Sequence, residues 1–215
     1  MAKDIRYIQL NANTKKNDGI REKMQLKTSK TEITHIFIAW LAISVAFTIL
    51  LSGWNSLSLD SIFIISAVTV GCAFILHELA HKVVAQKYGA WSEFRMVPFM
   101  LLVAIATAFM GFIFAAPGAV MISAPYLTRE ESGNIAIAGP MMNVALAFAF
   151  IPLTFCSGMA EQIGDFGVMI NAWLAAFNMI PVGVLDGKKV FAWDRRVYGA
   201  ALCIVIIVLV MSMMI

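Results

Sequence analysis

Five apolar runs, at residues 33–52, 62–86, 134–156, 166–182 and 199–215, are each long enough, or nearly so, to cross a bilayer. A hydrocarbon core about 30 Å thick asks for roughly 20 apolar residues in a helix. Backbone that enters lipid must also satisfy its own hydrogen bonds, which leaves helices or closed barrels. Composition agrees: 60% of the 215 residues are apolar and 13% charged, too few for the surface of a soluble domain. The expected fold class is an all-α polytopic membrane protein with five to six transmembrane helices. A basic tail, residues 1–32, precedes a single membrane-embedded domain, residues 33–215. The tail reads as solvated, with a short surface β or amphipathic segment as the alternative.

A sixth stretch, residues 96–128, carries no charge until Arg129 but is broken by Gly111, Pro117 and Gly118. Charge placement arbitrates its path. If residues 96–117 enter and leave on one side, the five other spans put all sixteen Lys and Arg on that side. Eight lie in the tail, four between Lys82 and Arg129, and four between Lys188 and Arg196. A full crossing would split them eleven to five. The positive-inside rule favours the non-crossing path and a cytosolic amino terminus. A small β-hairpin or re-entrant element is expected here. Within residues 111–123, Phe112, Phe114, Val120 and Ile122 alternate around an Ala-Pro-Gly turn, giving either a β-edge for an extended substrate or a packing element. Cys72, Cys156 and Cys203 lie apart in apolar runs and read as small hydrophobes.

Against this apolar background stands "HELAH", residues 77–81. Ionisable groups within a membrane are costly and tend to be functional. On a helix, His77 and His81 lie four apart on one face and can offer two imidazoles to one metal, while Glu78 stands beside them to act on a water at that metal. Counted from Ile62, the motif sits inside the membrane towards the cytosolic face, with Lys82 and Lys87 snorkelling to the surface. His35 reads as an interfacial histidine.

Catalytic zinc usually takes three protein ligands and keeps a fourth position open. Glu130, Glu131, Glu161 and Asp165 lie at span ends or in loops, where acidic residues are ordinary. Asp186 follows "NMIPVGVL", residues 178–185, in which Pro181 ends or kinks a helix and Gly183 permits an irregular path. Irregular backbone at membrane depth needs a protein-lined or wet site. Such a path can carry Asp186 back to the metal; an ordinary surface loop is the alternative.

These residues resemble the site-2 protease family of intramembrane zinc metalloproteases. "HELAH" is similar to its HExxH, and "NMIPVGVLDG", Asn178 to Gly187, is similar to its NxxPxxxxDG. The resemblance implies one Zn2+ held by His77, His81 and Asp186, with Glu78 as catalytic base. "GNIAIAGPMMN", residues 133–143, is similar to the family's third element and implies that Asn143 lies near the site and contacts substrate; alone, AGPxxN reads as a packing motif. Asn178 is a second substrate-binding candidate. Ala80 departs from a glycine common in the family, and residues 96–117 are longer than the connection expected.

The expected function is therefore hydrolysis of peptide bonds within or near transmembrane segments, in the cell membrane of a prokaryote. Expected partners are a transmembrane protein substrate and the lipid bilayer, with no nucleic acid. An HExxH membrane protease of another family is the nearest rival, with a glutamate as third ligand. A non-proteolytic metal-binding membrane protein is the other; a transporter would need polar residues along a path, and residues 36–54 and 199–215 supply almost none.

Overall fold

A computed structural model describes residues 27–53, 57–113 and 117–215. Helix α1, Lys30–Ser52, opens at Ser29, whose hydroxyl accepts from the Glu32 N–H and satisfies one free donor of the first turn. Helix α2, Leu59–Lys87, follows. Then come strand β1, Trp91–Met96; helix α3, Pro98–Ala108; and strand β2, Gly118–Ser123. Four helices complete the chain: α4, Arg129–Thr154; α5, Met159–Asn178; α6, Asp186–Trp193; and α7, Arg195–Ser212.

Among the described residues, α1, α2, α4 and α7 are long and apolar enough to cross a membrane. The fifth expected span falls in α5, which has 20 residues but dilutes its apolar character with Glu161, Asp165, Asn171 and Asn178. Four spans, where five to six were expected, therefore meet the test of length and composition. The end of α5 at Asn178, short of residue 182, follows from Pro181, which cannot continue the hydrogen-bond ladder.

Helices α4, α5 and α7 share an apolar core of Val144, Ala147, Ala172, Ala175, Met179, Ala201, Val205 and Val208. These side chains are mostly small. In lipid, helix association rests on close packing, and small residues allow it.

One turn of α2, Ala67–Gly71, is π-helical. Such turns leave the regular ladder short of a partner and often lie near functional sites. Here the Trp40 indole N–H of α1 donates to the Ala67 carbonyl at 3.0 Å. Gly71 makes room for that ring, since a Cβ there would lie 2.5 Å from it.

The two strands pair antiparallel, from Trp91↔Ser123 to Met96↔Gly118. The Val97 N–H extends the ladder to the Pro117 carbonyl at 3.0 Å. Residues 97–117 thus leave and rejoin the sheet at paired positions. Helix α3 has 11 residues, about 16 Å at 1.5 Å per residue, which is half of a hydrocarbon core. Helix α3 alone is therefore too short to cross. The expected β element is present as this two-stranded sheet, but β2 pairs with Trp91–Met96, and among the described residues of 111–123 only Gly118–Ser123 is strand. Residues 110–112 instead close α3, with Gly111 at φ +86 and bonds from Met110 and Phe112 to the Thr107 carbonyl. Residues 114–116, including Phe114, lie outside the described residues.

Of the basic segment 1–32, residues 27–32 are described, and they dock on α2. The Lys27 N–H donates to Gln86 Oε1 at 3.1 Å, and Gln86 Nε2 donates to the Lys27 carbonyl at 3.0 Å. Residues 1–26 lie outside the described residues. Lys82 does not snorkel: it is 2% exposed, with its Nζ 2.5 Å from Glu32 Oε2. A carboxylate within reach replaces the water the ammonium would otherwise seek. The three cysteines are free.

Candidate metal centre

Residues Cys72–Lys87 of α2 are regular α-helix, so His77 and His81 project from one face. Their Nε2 atoms stand 3.1 Å apart. Asp186 Oδ2 lies 3.3 Å from Nε2 of His77 and 3.1 Å from Nε2 of His81. All three side chains are buried.

Local sequence explains how Asp186 arrives. Beyond Asn178 the chain turns through Pro181 and Gly183, the latter at φ +58, and the Leu185 N–H closes a turn on the Val182 carbonyl at 3.2 Å. Asp186 is then the first residue of α6. Gly187 lets α6 begin against the end of α5, because a Cβ there would lie 2.2 Å from the Met179 carbonyl oxygen. At its other end, Trp193 of α6 lies on Gly133 of α4.

Each imidazole is held from its Nδ1 side. His77 Nδ1 lies 2.5 Å from Asn143 Oδ1, and His81 Nδ1 lies 2.7 Å from the Ile135 carbonyl. The Asn143 amide is oriented by its Nδ2, which donates to the Ala73 carbonyl at 3.3 Å and to Asn171 Oδ1 at 2.9 Å. Both Nδ1 partners are acceptors, so Nδ1 is assigned as the donor and each neutral ring turns an Nε2 lone pair inward. Two lone pairs and a carboxylate oxygen then converge with no donor to meet them among the described residues. That is a donor set for a cation.

The spacing suits zinc. Ligands about 2.0 Å from a tetrahedral centre stand roughly 3.3 Å apart. Gly139 of α4 forms the wall of the space: a Cβ there would lie 2.4 Å from His81 Nε2 and 2.6 Å from His77 Nε2. A cation among the three donors would hold the buried Asp186 carboxyl in its ionised form. A carboxylate that stays ionised suits a metal ligand.

Glu78 stands beside the cluster, half-buried, and its Oε2 accepts from the Val120 N–H of β2 at 2.8 Å. That donor belongs to the edge expected to receive an extended substrate. Asn143 has no exposed surface, and its amide is committed to His77, Ala73 and Asn171. Asn178 donates to the Leu174 carbonyl of its own helix at 3.0 Å. Of the other acidic residues, Glu131 closes a capping box with Thr128 at the start of α4. Glu161 and Asp165 lie in the first two turns of α5, away from the Asn178 end. His35 lies on α1, outside the cluster.

Sequence reasoning missed Asn171, Gly139 and Glu32. A polar residue inside an apolar helix was the available signal for Asn171. Gly139 was visible only as one small residue of a packing motif. Nothing local distinguished Glu32 from its charged neighbours.

Two relatives match the chain, each named a putative zinc metalloprotease. The one from Methanocaldococcus jannaschii is 46% identical over 175 residues, 80% of this chain and 88% of the relative. The one from Bacillus subtilis is 28% identical over 149 residues, 57% of this chain and 65% of the relative. No family model and no solved structure matches. With a buried His-His-Asp donor set at its HExxH helix and 46% identity across 88% of the archaeal relative, the chain belongs to this zinc metalloprotease family.

Proposed function

We infer that this chain is a site-2-protease-like zinc metalloendopeptidase that cleaves peptide bonds within or near transmembrane segments of membrane-protein substrates. One observation carries the reading. His77, His81 and Asp186 converge around Gly139, with Glu78 next to the first of them, on a helix long and apolar enough to cross a membrane.

His77 Nε2, His81 Nε2 and a carboxylate oxygen of Asp186 would hold one zinc ion, leaving a fourth position for substrate or water. Zinc held there supplies Lewis acidity, polarising the scissile carbonyl and acidifying water. Glu78 is the base: its carboxylate takes the proton of the attacking water and returns it to the leaving amine nitrogen. Asn143 and the Ile135 carbonyl hold the two Nδ1 protons and so keep the ligand atoms aimed. On this reading Asn143 serves the ligand, and Asn178 is left as the candidate for substrate. A helical substrate amide is already hydrogen-bonded, so the segment must unwind before it reaches Glu78. On this reading α5 makes the fifth crossing, and the positive-inside rule favours a cytosolic side for the amino terminus and the loops rich in Lys and Arg.

The test compares wild type with Glu78→Gln, purified in detergent, for zinc content and for cleavage of a generic single-span substrate. Both should carry near-stoichiometric zinc, and only wild type should cleave. Cleavage by Glu78→Gln, or a wild type that does not take up zinc, overturns the reading.

A further inference from the structure

Two carboxylates grip the outer edges of the strand pair at one register position. Phe94 and Val120 are partners across the sheet. The Phe94 N–H donates to Glu32 Oε1 of α1 at 2.9 Å, and the Val120 N–H donates to Glu78 Oε2 of α2 at 2.8 Å. Partners whose N–H groups both point outward form a non-hydrogen-bonded pair of an antiparallel ladder. The bond from the Val97 N–H to the Pro117 carbonyl, three positions along, has the phase that this alternation requires.

Glu32 closes the circuit. Its second oxygen, Oε2, is 2.5 Å from Lys82 Nζ, and Lys82 lies one helical turn beyond Glu78 on α2. The contacts run Glu78, Val120, Phe94, Glu32, Lys82, and so begin and end on the helix that carries both histidines. Glu32 is 0% exposed. Lys82 Nζ also donates to Thr28 Oγ1 at 2.9 Å, and Ser92 Oγ of β1 donates to the Lys82 carbonyl at 3.2 Å.

Net stability is a poor explanation for this pair. Desolvating two charges offsets most of their attraction, and a well-packed apolar pair is often as stable; fixing one arrangement among alternatives is the better-attested use. What the pair fixes here is the stand-off between the strands and α2.

Resting on the proteolytic reading, we propose that Glu32 is a positioning residue for Glu78. Through the Phe94 N–H it sets where the strand pair stands over α2, and thereby where the Val120 N–H holds the Glu78 carboxylate. Lys82 orients Glu32. Neither residue touches the reacting atoms.

Two double variants test this without leaving a buried charge unpaired. Glu32→Leu/Lys82→Met removes both charges and the acceptor for Phe94. Glu32→Gln/Lys82→Met removes both charges but keeps an oxygen for Phe94. The full chain would be assayed for zinc per chain, for hydrogen–deuterium exchange of residues 117–123, and for kcat and KM on a single-span substrate. The Leu/Met variant should keep its zinc, exchange about tenfold faster or more at 117–123, and lose up to about 10²-fold in kcat from misplacement of the base. The Gln/Met variant should return both readouts towards wild type. Unchanged exchange in the Leu/Met variant overturns the clamp whether or not cleavage is detected. Faster exchange with unchanged kcat overturns the link to Glu78. If the Leu/Met variant does not fold, the Gln/Met variant decides: a loss of about tenfold or more in kcat with zinc retained overturns positioning through Phe94. A wild type that cleaves nothing overturns the proteolytic reading, and the exchange result still decides the clamp.

Discussion

His77 Nδ1 stands 2.5 Å from Oδ1 of Asn143, a side chain with no exposed surface. The amide cannot turn over without placing its Nδ2 against the ring and its oxygen against the Ala73 carbonyl. That contact therefore decides which nitrogen of His77 carries the proton and leaves the Nε2 lone pair facing His81 and Asp186. Replacing Asn143 with Leu should weaken zinc affinity about 10- to 100-fold, the usual cost of losing a partner behind a ligand. Asn171→Leu should act in the same direction and by less, because it only orients Asn143. Chelator competition on purified protein measures both, independently of any peptidase assay.

Gly139 gives a sharper test. A methyl group at this position would sit 2.4 Å from His81 Nε2, within the space the ion needs. Gly139→Ala should lower zinc content towards zero while the helical circular dichroism stays near wild type. Near-stoichiometric zinc in this variant would mean that the ion sits elsewhere.

Asp186 and Glu131 separate the two candidate ligand sets. Asp186→Ala should abolish tight zinc binding and cleavage, since it removes one of three converging donors. Glu131→Ala should leave zinc in place and cost at most about 1 kcal/mol, because its carboxylate serves only the first turn of α4. The reverse pattern would identify a glutamate ligand and a different protease family.

Topology can be read from exposed positions. In a background without the native cysteines, probes at Trp91→Cys and Tyr126→Cys flank the paired strands, and both should react from the cytosolic side. A probe at Ser157→Cys, in the exposed turn between α4 and α5, should react from the opposite side. Labelling of Trp91→Cys and Tyr126→Cys from opposite sides would require residues 97–117 to cross fully.

The convergence of His77, His81 and Asp186 was legible because its signals are short-range. His77 and His81 meet through helix geometry alone, and Pro181 with Gly183 marks an irregular path before Asp186. What escaped depends on distance along the chain. Strand β1 is six residues long and holds Glu93 and Arg95, so it reads as a charged loop until β2 is set against it. Lys82 reads as a snorkelling residue until Glu32, fifty positions earlier, arrives beside it. The fifth expected span falls short of the length-and-composition test for a related reason. Asn171 lowers the hydropathy of α5 because it is spent on Asn143 inside the protein, and a hydropathy window cannot tell such a residue from a solvated one.

The π-helical turn at Ala67–Gly71 introduces a phase slip into α2. A π-turn takes about one residue more than an α-turn to come round, so no single period of 3.6 describes both halves of the helix. Counting back from His77 in steps of three and four reaches Ala73 on the same face, but above Gly71 the count must be offset by about one residue. A cysteine scan along α2 would show this as two periodic accessibility patterns displaced against each other at Ala67–Gly71. The same slip lets the amino-terminal half pack by its own stripe, through Ile62 and Ile65, without dictating the angle at which the two histidines face α4.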